Sequence, residues 1–257
     1  MAAKPVLWHI PVSHYNEKAR WALDLKGVEH ERKAPPPPNH MLVSMWLTRG
    51  SSKTFPVLQL EGEAYGDSSE IIAALERRFP EPPLYPEDPA DRRRALEIED
   101  FFDEEVAPHV RLLAFHEAIK DRETFDDFAA QGLPPAARRS PRLAGAIGRT
   151  FLKFRYRVGD PDAAELARER IEAGWDRIEA ELGDREYLVG DGFSVADLTA
   201  AAICYPLVRP AEGPQLLPDY PPPLEEYRLS FADRPAYRWV EEMFSRHRKR
   251  AAEPVAA

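Results

Sequence analysis

Apolar and polar positions near the N-terminus follow the order of a short strand, a polar turn and a helix. Residues 6–10 are an apolar run rich in strand formers. Helical spacing then appears in a second apolar set, Tyr15, Ala19, Ala22 and Leu23. Ser13 lies between them, where the free N–H groups of a first helical turn favour an anion. The Ser13 hydroxyl either caps this helix, as serine most often does, or serves a ligand bound at its end.

A second strand and a second helix are predicted within residues 53–79. Pro56 precedes the apolar run 57–60, and proline belongs at the first residue of a strand because it has no N–H for an inner ladder position. A cis Phe55-Pro56 bond would turn the N–H and C=O of Phe55 outward, towards an extended peptide. Asp67 or Ser68 caps the next helix, whose apolar positions are Ile71, Ile72, Leu75 and Phe79. Capping explains one of these two polar residues and leaves the other for a second role.

A proline-rich segment separates this part from a region with helical patterning almost throughout. Residues 80–89 hold five prolines, which excludes a regular helix and indicates an interdomain linker. The pattern predicts an α/β domain over residues 1–80, a linker over residues 81–90 and an all-α domain over residues 91–257. Within the helical domain, Ser194 and Asp197 form a capping box, which we interpret as a folding element rather than a catalytic site.

Composition excludes several function classes. The net charge is −9, with +1 on residues 1–80 and −10 on residues 81–257, so no nucleic acid is expected as a partner. No apolar stretch is long enough to span a bilayer, and the seven histidines lack metal-ligand spacing, so neither a membrane nor a metal is expected. Cys204 is the single cysteine and lies in an apolar helix. It is expected to pack in the core, excludes an internal disulfide and fits a cytoplasmic protein.

The order of these motifs over the first eighty residues resembles the thioredoxin-like domain of cytosolic glutathione transferases. Ser13 falls where theta- and zeta-like members carry a catalytic serine and omega-like members a cysteine, and the basic Lys18 follows five positions later. The resemblance implies an N-terminal thioredoxin-like domain followed by an all-helical C-terminal domain. It also implies glutathione as co-substrate, a small electrophile as substrate and a homodimer.

The same resemblance implies which residues hold the thiol. Phe55 and Pro56 fall on the residue and the cis-proline that pair with the cysteinyl backbone of glutathione. Asp67 and Ser68 fall on the pair that holds the γ-glutamyl amine and carboxylate. His40 lies sixteen residues before Pro56, near the place of a histidine that binds the glycine carboxylate in theta-like relatives.

The implied chemistry is activation of a bound thiol for attack on the electrophile. A hydrogen bond to a charged acceptor contributes about 1.5–3 kcal/mol, which lowers a thiol pKa by roughly one to two units. Ser13 would stabilise the thiolate in this way, with Asn16 and Tyr15 as alternative donors. The electrophile pocket is expected among side chains that are, as a class, more often core: Phe101, Phe102, His109, Phe115, His116 and Tyr205.

Two further alternatives stay open. The chain is either a serine-type transferase or a transferase-like fold kept for interaction or regulation without turnover. The thiol is either glutathione or a related one, because Thr54 and Phe55 depart from the residues usual before the proline. The combination of Ser13 with the Asp67-Ser68 pair favours the enzyme, since a scaffold needs neither.

Overall fold

The N-terminal part is built on a small mixed sheet. The structure is a computed structural model that describes residues 4–35, 39–131, 140–214 and 220–248. Within these residues a four-stranded sheet has the order β2-β1-β3-β4, formed by β1 (Val6–Trp8), β2 (Glu31–Lys33), β3 (Val57–Leu60) and β4 (Glu63–Tyr65). β1 is parallel to β2 and antiparallel to β3, and β4 is antiparallel to β3. This sheet confirms the α/β part of the predicted fold.

Three helices are described in the N-terminal part: α1 (His14–Leu25), α2 (Asn39–Leu47) and α3 (Ser68–Arg78). α1 and α3 begin where the sequence predicts them, whereas the sequence pattern predicts no helix at α2. Ser13 and Asp67 are the N-cap residues of α1 and α3. α1 packs against α3, and both share one hydrophobic core with Leu7 and Leu58 of the sheet. Pro56 stands one residue before β3, outside the strand ladder, as a residue without an N–H requires.

The second part is helical, as predicted. Its helices are α4 (Pro89–Phe101), a π-helical segment (Phe102–Val106), α5 (Ala107–Ala118), α6 (Arg122–Gln131), α7 (Pro141–Tyr156), α8 (Pro161–Leu182), α9 (Val195–Val208), α10 (Pro222–Leu229) and α11 (Pro235–His247). α4, the π-helical segment and α5 follow one another without a break. This continuous helix contacts the first turn of α1 through the backbone of Ala107 and Asp103.

α9 is the centre of the molecule. Every residue from Val195 to Val208 is buried, and α9 packs against α1, α4, α5 and α11. At its start, Asp197 accepts from the N–H of Ser194 at 2.9 Å, from the Ser194 hydroxyl at 2.8 Å and from the N–H of Leu188 at 2.8 Å. Burial raises the pKa of Asp197 to about 6. The capping box is therefore internal to the fold, and Cys204 is buried on the same helix, as predicted.

Candidate functional site

Ser13 stands at the N-terminus of α1 with its hydroxyl unused by the helix. Its backbone is extended (φ −91°, ψ 128°), it is half-buried, and its side chain makes no cap hydrogen bond. An N-cap serine ordinarily accepts from the N–H two or three residues on. Here the N–H of Tyr15 donates to His14 Nδ1 at 3.0 Å instead. The capping interpretation is thus wrong for this hydroxyl, which lies at a helix end that favours an anion.

His14 is held as a neutral ring between α1 and α5. Its Nε2 lies 2.8 Å from the carbonyl oxygen of Ala107, which only accepts. Its Nδ1 faces the N–H of Tyr15, which only donates. Nε2 therefore carries the proton and Nδ1 does not. Burial lowers the pKa of His14 to about 3, so the ring stays neutral at ordinary pH and keeps both bonds.

The loop before Ser13 is held by side chains from three directions. Arg20 donates to the carbonyl oxygens of residues 10 and 11, at 3.5 and 3.1 Å. Asn16 Oδ1 accepts from the N–H of residue 10 at 3.0 Å, and the Tyr205 hydroxyl donates to the carbonyl oxygen of residue 12 at 3.3 Å. All three side chains are buried. The Ser13 hydroxyl thus extends from a fixed backbone, which a positioned donor requires.

Asn16 and Tyr15, the alternative donors, are committed to backbone groups. Asn16 is fully buried, and its Nδ2 donates to the carbonyl oxygen of Phe55 at 3.1 Å. The Tyr15 hydroxyl donates to the carbonyl oxygen of Asp103 at 2.8 Å, across to the π-helical segment. Burial raises the pKa of the Tyr15 hydroxyl above its ordinary value. Of the three candidate donors, Ser13 is therefore the one whose side chain makes no hydrogen bond to the backbone of the described residues.

Phe55, Pro56 and His40 come together beside the start of β3. The Phe55-Pro56 peptide bond is cis. The expectation that the Phe55 carbonyl faces outward is wrong, because that oxygen accepts from the buried Asn16. The His40 ring on α2 lies 6.1 Å from the Phe55 ring, centre to centre. Its Nδ1 is buried without a hydrogen-bond partner among the described residues, and burial lowers the pKa of the ring. His40 thus lies next to Phe55 with one ring nitrogen unused.

Asp67 and Ser68 divide the start of α3 between them. Asp67 Oδ1 accepts from the N–H of Ser69 at 2.8 Å and from the N–H of Glu70 at 3.4 Å, which makes Asp67 the cap. Asp67 is exposed, and its Oδ2 has no hydrogen bond to any described residue. Ser68 is the first residue of the helix and is buried. Capping uses one carboxylate oxygen and leaves the other open to an ammonium group.

A buried ionic cluster lies under the first turns of α1 and α3. Lys18 Nζ is 2.7 Å from Glu99 Oε1, 2.5 Å from Asp103 Oδ2 and 2.8 Å from Ser69 Oγ. Burial alone would lower the pKa of Lys18, but the two carboxylates outweigh it and raise that pKa. Burial raises the pKa of Asp103 in spite of the nearby ammonium group. The cluster joins the α/β part to α4 and the π-helical segment.

Sequence reasoning missed this cluster. In the sequence analysis, Lys18 only marks the distance from Ser13. No role is assigned there to Ser69, which directly follows the Asp67-Ser68 pair. Glu99 and Asp103 are four residues apart, which in a helix puts two carboxylates on one face. This pair of acids was the sequence signal from which a buried partner for a lysine of the first domain could have been predicted.

The expected electrophile pocket is only partly accessible. Phe102 and Tyr205 are 0% and 1% exposed and belong to the hydrophobic core, so their placement in a pocket is wrong. Aromatic residues at helical spacing arise from core packing as readily as from a ligand site. The other members of the set are partly exposed: Phe101, His109, Phe115 and His116. The electrophile face stays a prediction, centred on α5.

The described residues hold neither a metal-binding cluster nor a membrane-spanning helix. No group of three or more histidine, cysteine or acidic side chains there is placed to hold a metal ion. No helix of that part combines the length and the apolar composition needed to cross a bilayer.

Comparison with known proteins decides the family. The family model described as "Glutathione S-transferase, N-terminal domain" matches residues 7–83, and "Glutathione S-transferase, C-terminal domain" matches residues 161–230. A glutathione S-transferase from Triticum aestivum is 30% identical over 204 residues, which cover 77% of this chain and 76% of that protein. The chain belongs to the glutathione S-transferase family.

Other relatives share less sequence. A maleylacetoacetate isomerase from Rattus norvegicus is 27% identical over 78% of this chain and 76% of its own length. A probable glutathione S-transferase from Nicotiana tabacum is 24% identical over 75% of this chain, and the match spans 65% of its length.

Among solved structures, the β-etherase LigF from Sphingobium sp. strain SYK-6 has a TM-score of 0.61 at 22% identity, over 93% of this chain and 99% of its own. A transferase from Methylobacillus flagellatus KT with glutathione bound has a TM-score of 0.56 at 19% identity, over 92% and 98%. At identities this low, the two comparisons show that the fold is shared.

Proposed function

We propose that this family member is a glutathione transferase in which the Ser13 hydroxyl donates to the sulfur of bound glutathione. One observation carries the proposal: the hydroxyl stands at a helix N-terminus and makes no cap bond, because His14 binds the N–H that it would otherwise serve. The relatives named glutathione S-transferase and the solved relative with bound glutathione support this thiol.

The binding roles follow from the groups that the fold leaves open. Asp67 Oδ2 accepts from the γ-glutamyl ammonium group, and Ser68 binds the γ-glutamyl carboxylate. Phe55 and Pro56 border the cysteinyl residue, with the Phe55 N–H as the pairing group because its carbonyl oxygen is held by Asn16. His40 donates to the glycine carboxylate. No metal takes part in the proposed reaction.

The proposed chemistry needs no triad. The thiol of glutathione loses its proton to solvent, and the Ser13 hydroxyl and the N-terminus of α1 stabilise the resulting thiolate. The sulfur then forms a bond to an electrophilic carbon, and the charge passes to the leaving group or to the rest of the acceptor. We propose a small electrophile bound on the α5 side, in a cytoplasmic homodimer that binds no nucleic acid.

A related activity is the second candidate. The rat relative is named as an isomerase, and we propose as the alternative that the thiolate adds to a substrate and leaves it again, which isomerises that substrate. Both activities need the thiolate, so they share the role of Ser13. If glutathione fails to bind, two alternatives remain: a non-catalytic interaction protein, or an enzyme that uses another thiol.

The decisive experiment replaces Ser13 by Ala. We expect the pKa of bound glutathione, followed by ultraviolet thiolate absorbance, to rise by about one unit or more, and turnover of a generic electrophile at neutral pH to fall about tenfold or more. Affinity for glutathione, measured by calorimetry, should change little because most contacts lie elsewhere. Ser140→Ala is the matched control, since Ser140 is also an N-cap serine without a cap hydrogen bond.

Two results would overturn the proposal. No binding of glutathione to the wild-type protein at millimolar concentration would exclude glutathione as the thiol. An unchanged thiol pKa and unchanged turnover in Ser13→Ala would exclude the hydroxyl as donor and return Asn16 and Tyr15 to consideration.

A further inference from the structure

α7 has two faces, and within the part of the chain that the structure describes only one of them is packed against other elements. Ala144, Gly145 and Leu152 are buried on the side that packs against α6. The approach is close, because a Cβ at Gly145 would overlap the side chain of Asp126. The opposite face carries four large apolar side chains that are 47–94% exposed: Leu143, Ile147, Phe151 and Phe154.

These four residues form one continuous stripe. They recur at intervals of four, four and three residues, which places them on a single side of the helix. Ala146 and Thr150 line one shallow depression together with Ile147, Phe151 and Phe154. Phe154 is 94% exposed. A monomeric protein rarely presents so many bulky apolar side chains together, and such a patch marks a binding surface.

The charged residues of α7 itself are all positive. Residues 141–156 contain four basic residues and no acidic residue, in a chain whose net charge is −9. Arg149 is paired with Asp126 on the buried side. Arg142, Lys153 and Arg155 are exposed, and helical geometry sets the first two along one edge of the stripe and the third along the other. The exposed surface of α7 is therefore apolar in the middle and cationic on both sides.

The position of α7 sets it apart from the shared parts of the family. Residues 141–156 fall between the two segments that match the family models, 7–83 and 161–230. The proposed thiol-binding residues all lie in the first of those segments. Thiol transfer therefore does not explain why these apolar side chains are exposed.

We propose that α7 is a peripheral membrane-binding helix that lies on an anionic phospholipid surface. An apolar stripe between basic side chains is the arrangement of helices that lie in the interface plane, with the apolar face among the acyl chains and the cations at the headgroups. Such a helix need not span the bilayer, so the absence of a spanning stretch does not exclude it.

The alternatives fit the surface less well. A second copy docked through the same face would bring Arg142, Lys153 and Arg155 of one chain against those of the other, and like charges oppose that contact. A partner helix of another protein is usually bound in a groove between elements. The stripe is instead the outer side of one helix, and a soft interface accommodates it directly.

The test is sedimentation of the full-length protein with vesicles. We expect binding to vesicles of equal parts phosphatidylglycerol and phosphatidylcholine, little binding to phosphatidylcholine alone, and loss of the difference in 0.5 M salt because the charges are screened. Phe154→Glu is expected to weaken binding about tenfold or more. Arg155→Glu reverses one charge and is expected to weaken it roughly 25-fold, at about fivefold for each charge unit.

Matched variants separate the helix from general effects of charge. Leu229→Glu changes an exposed leucine on α10, and Arg238→Glu changes an exposed arginine on α11. Both should bind vesicles nearly as the wild type does, and circular dichroism checks the fold of every variant. Absence of binding to anionic vesicles, or equal losses in the α7 variants and their controls, overturns the proposal. If Phe154→Glu instead turns a dimer into a monomer and no vesicles are bound, the occupant is a second copy.

Discussion

Ser13 and Asp67 both lie at helix starts, and the local hydrogen bonds determine whether each caps its helix or is available to a ligand. At Ser13 the ring of His14 takes the first-turn N–H, so the hydroxyl is not needed as a cap. At Asp67 one carboxylate oxygen caps α3, and the other is exposed. Residue type alone predicted a choice between capping and ligand binding at both places. The structure decides between these roles through the adjacent His14 side chain at Ser13 and through the second carboxylate oxygen at Asp67.

Replacing Asp67 by Asn should separate these roles. Asparagine is as good an N-cap as aspartate, so the fold and the thiol pKa should stay close to wild type. The variant loses the negative charge that we propose faces the γ-glutamyl ammonium. A hydrogen bond to a charged group is worth about 1.5–3 kcal/mol, so affinity for glutathione should fall about tenfold or more. Calorimetric titration measures the affinity.

The control for that variant is Asp88→Asn. Asp88 is an exposed N-cap of α4 with the same pair of backbone hydrogen bonds, at 2.8 and 3.0 Å. It should bind glutathione as wild type does. Wild-type affinity in Asp67→Asn itself would limit Asp67 to capping α3.

At the scale of elements, α1 is fixed more tightly than its sequence indicates. Apolar spacing predicted the helix and its start, because both are local properties. The pattern did not show that the first turn contacts two parts of the continuous helix that runs from α4 to α5, where His14 contacts Ala107 at the start of α5 and Tyr15 contacts Asp103 on the π-helical segment. The π-helical segment that carries Asp103 was not predicted either, since such segments are rare and occur as short interruptions of α-helices.

The docking of α1 on α5 should depend on pH through His14. The pKa of this ring falls from about 6.5 in the unfolded chain to about 3 in the folded one. The unfolded state therefore binds more protons between these values, and the free energy of unfolding falls as the pH drops below 6.5. Between pH 7.5 and 5.5 the loss from His14 alone is about 1 kcal/mol.

His14→Gln should remove that contribution, since glutamine takes up no proton. Urea unfolding at pH 7.5 and 5.5 measures it as a smaller fall in stability for the variant than for wild type. His9, whose pKa burial also lowers to about 3, and Asp197, whose raised pKa acts in the opposite sense, titrate in both proteins and so cancel. Parallel curves for the two proteins would mean that folded His14 titrates near its ordinary pKa.

For the whole molecule, the contact between its two parts is both apolar and ionic. α9 packs against α1, and the Lys18 cluster lies beside that contact. The fold was predictable because strand runs, helix caps and the proline-rich segment are local patterns in a known order. The cluster was not, because the partners of Lys18 lie 51 residues away at Ser69 and 85 residues away at Asp103. The same limit applied to Phe102 and Tyr205, whose burial depends on packing between distant helices.

The ionic part of that contact should be essential because it is buried. Lys18→Met leaves Glu99 and Asp103 facing each other without a cation, and removing one partner of a buried ion pair costs about 3–5 kcal/mol. Urea unfolding followed by tryptophan fluorescence should show a loss of this size. Lys4→Met, which removes an exposed lysine 3.9 Å from Glu29, should change stability by less than about 0.5 kcal/mol. Adding Glu99→Gln and Asp103→Asn to Lys18→Met removes the unpaired charges and should recover part of the loss. A loss below about 1 kcal/mol for Lys18→Met alone would show that water or a rearranged side chain replaces the ammonium group, and that apolar packing of α9 on α1 holds the two parts together.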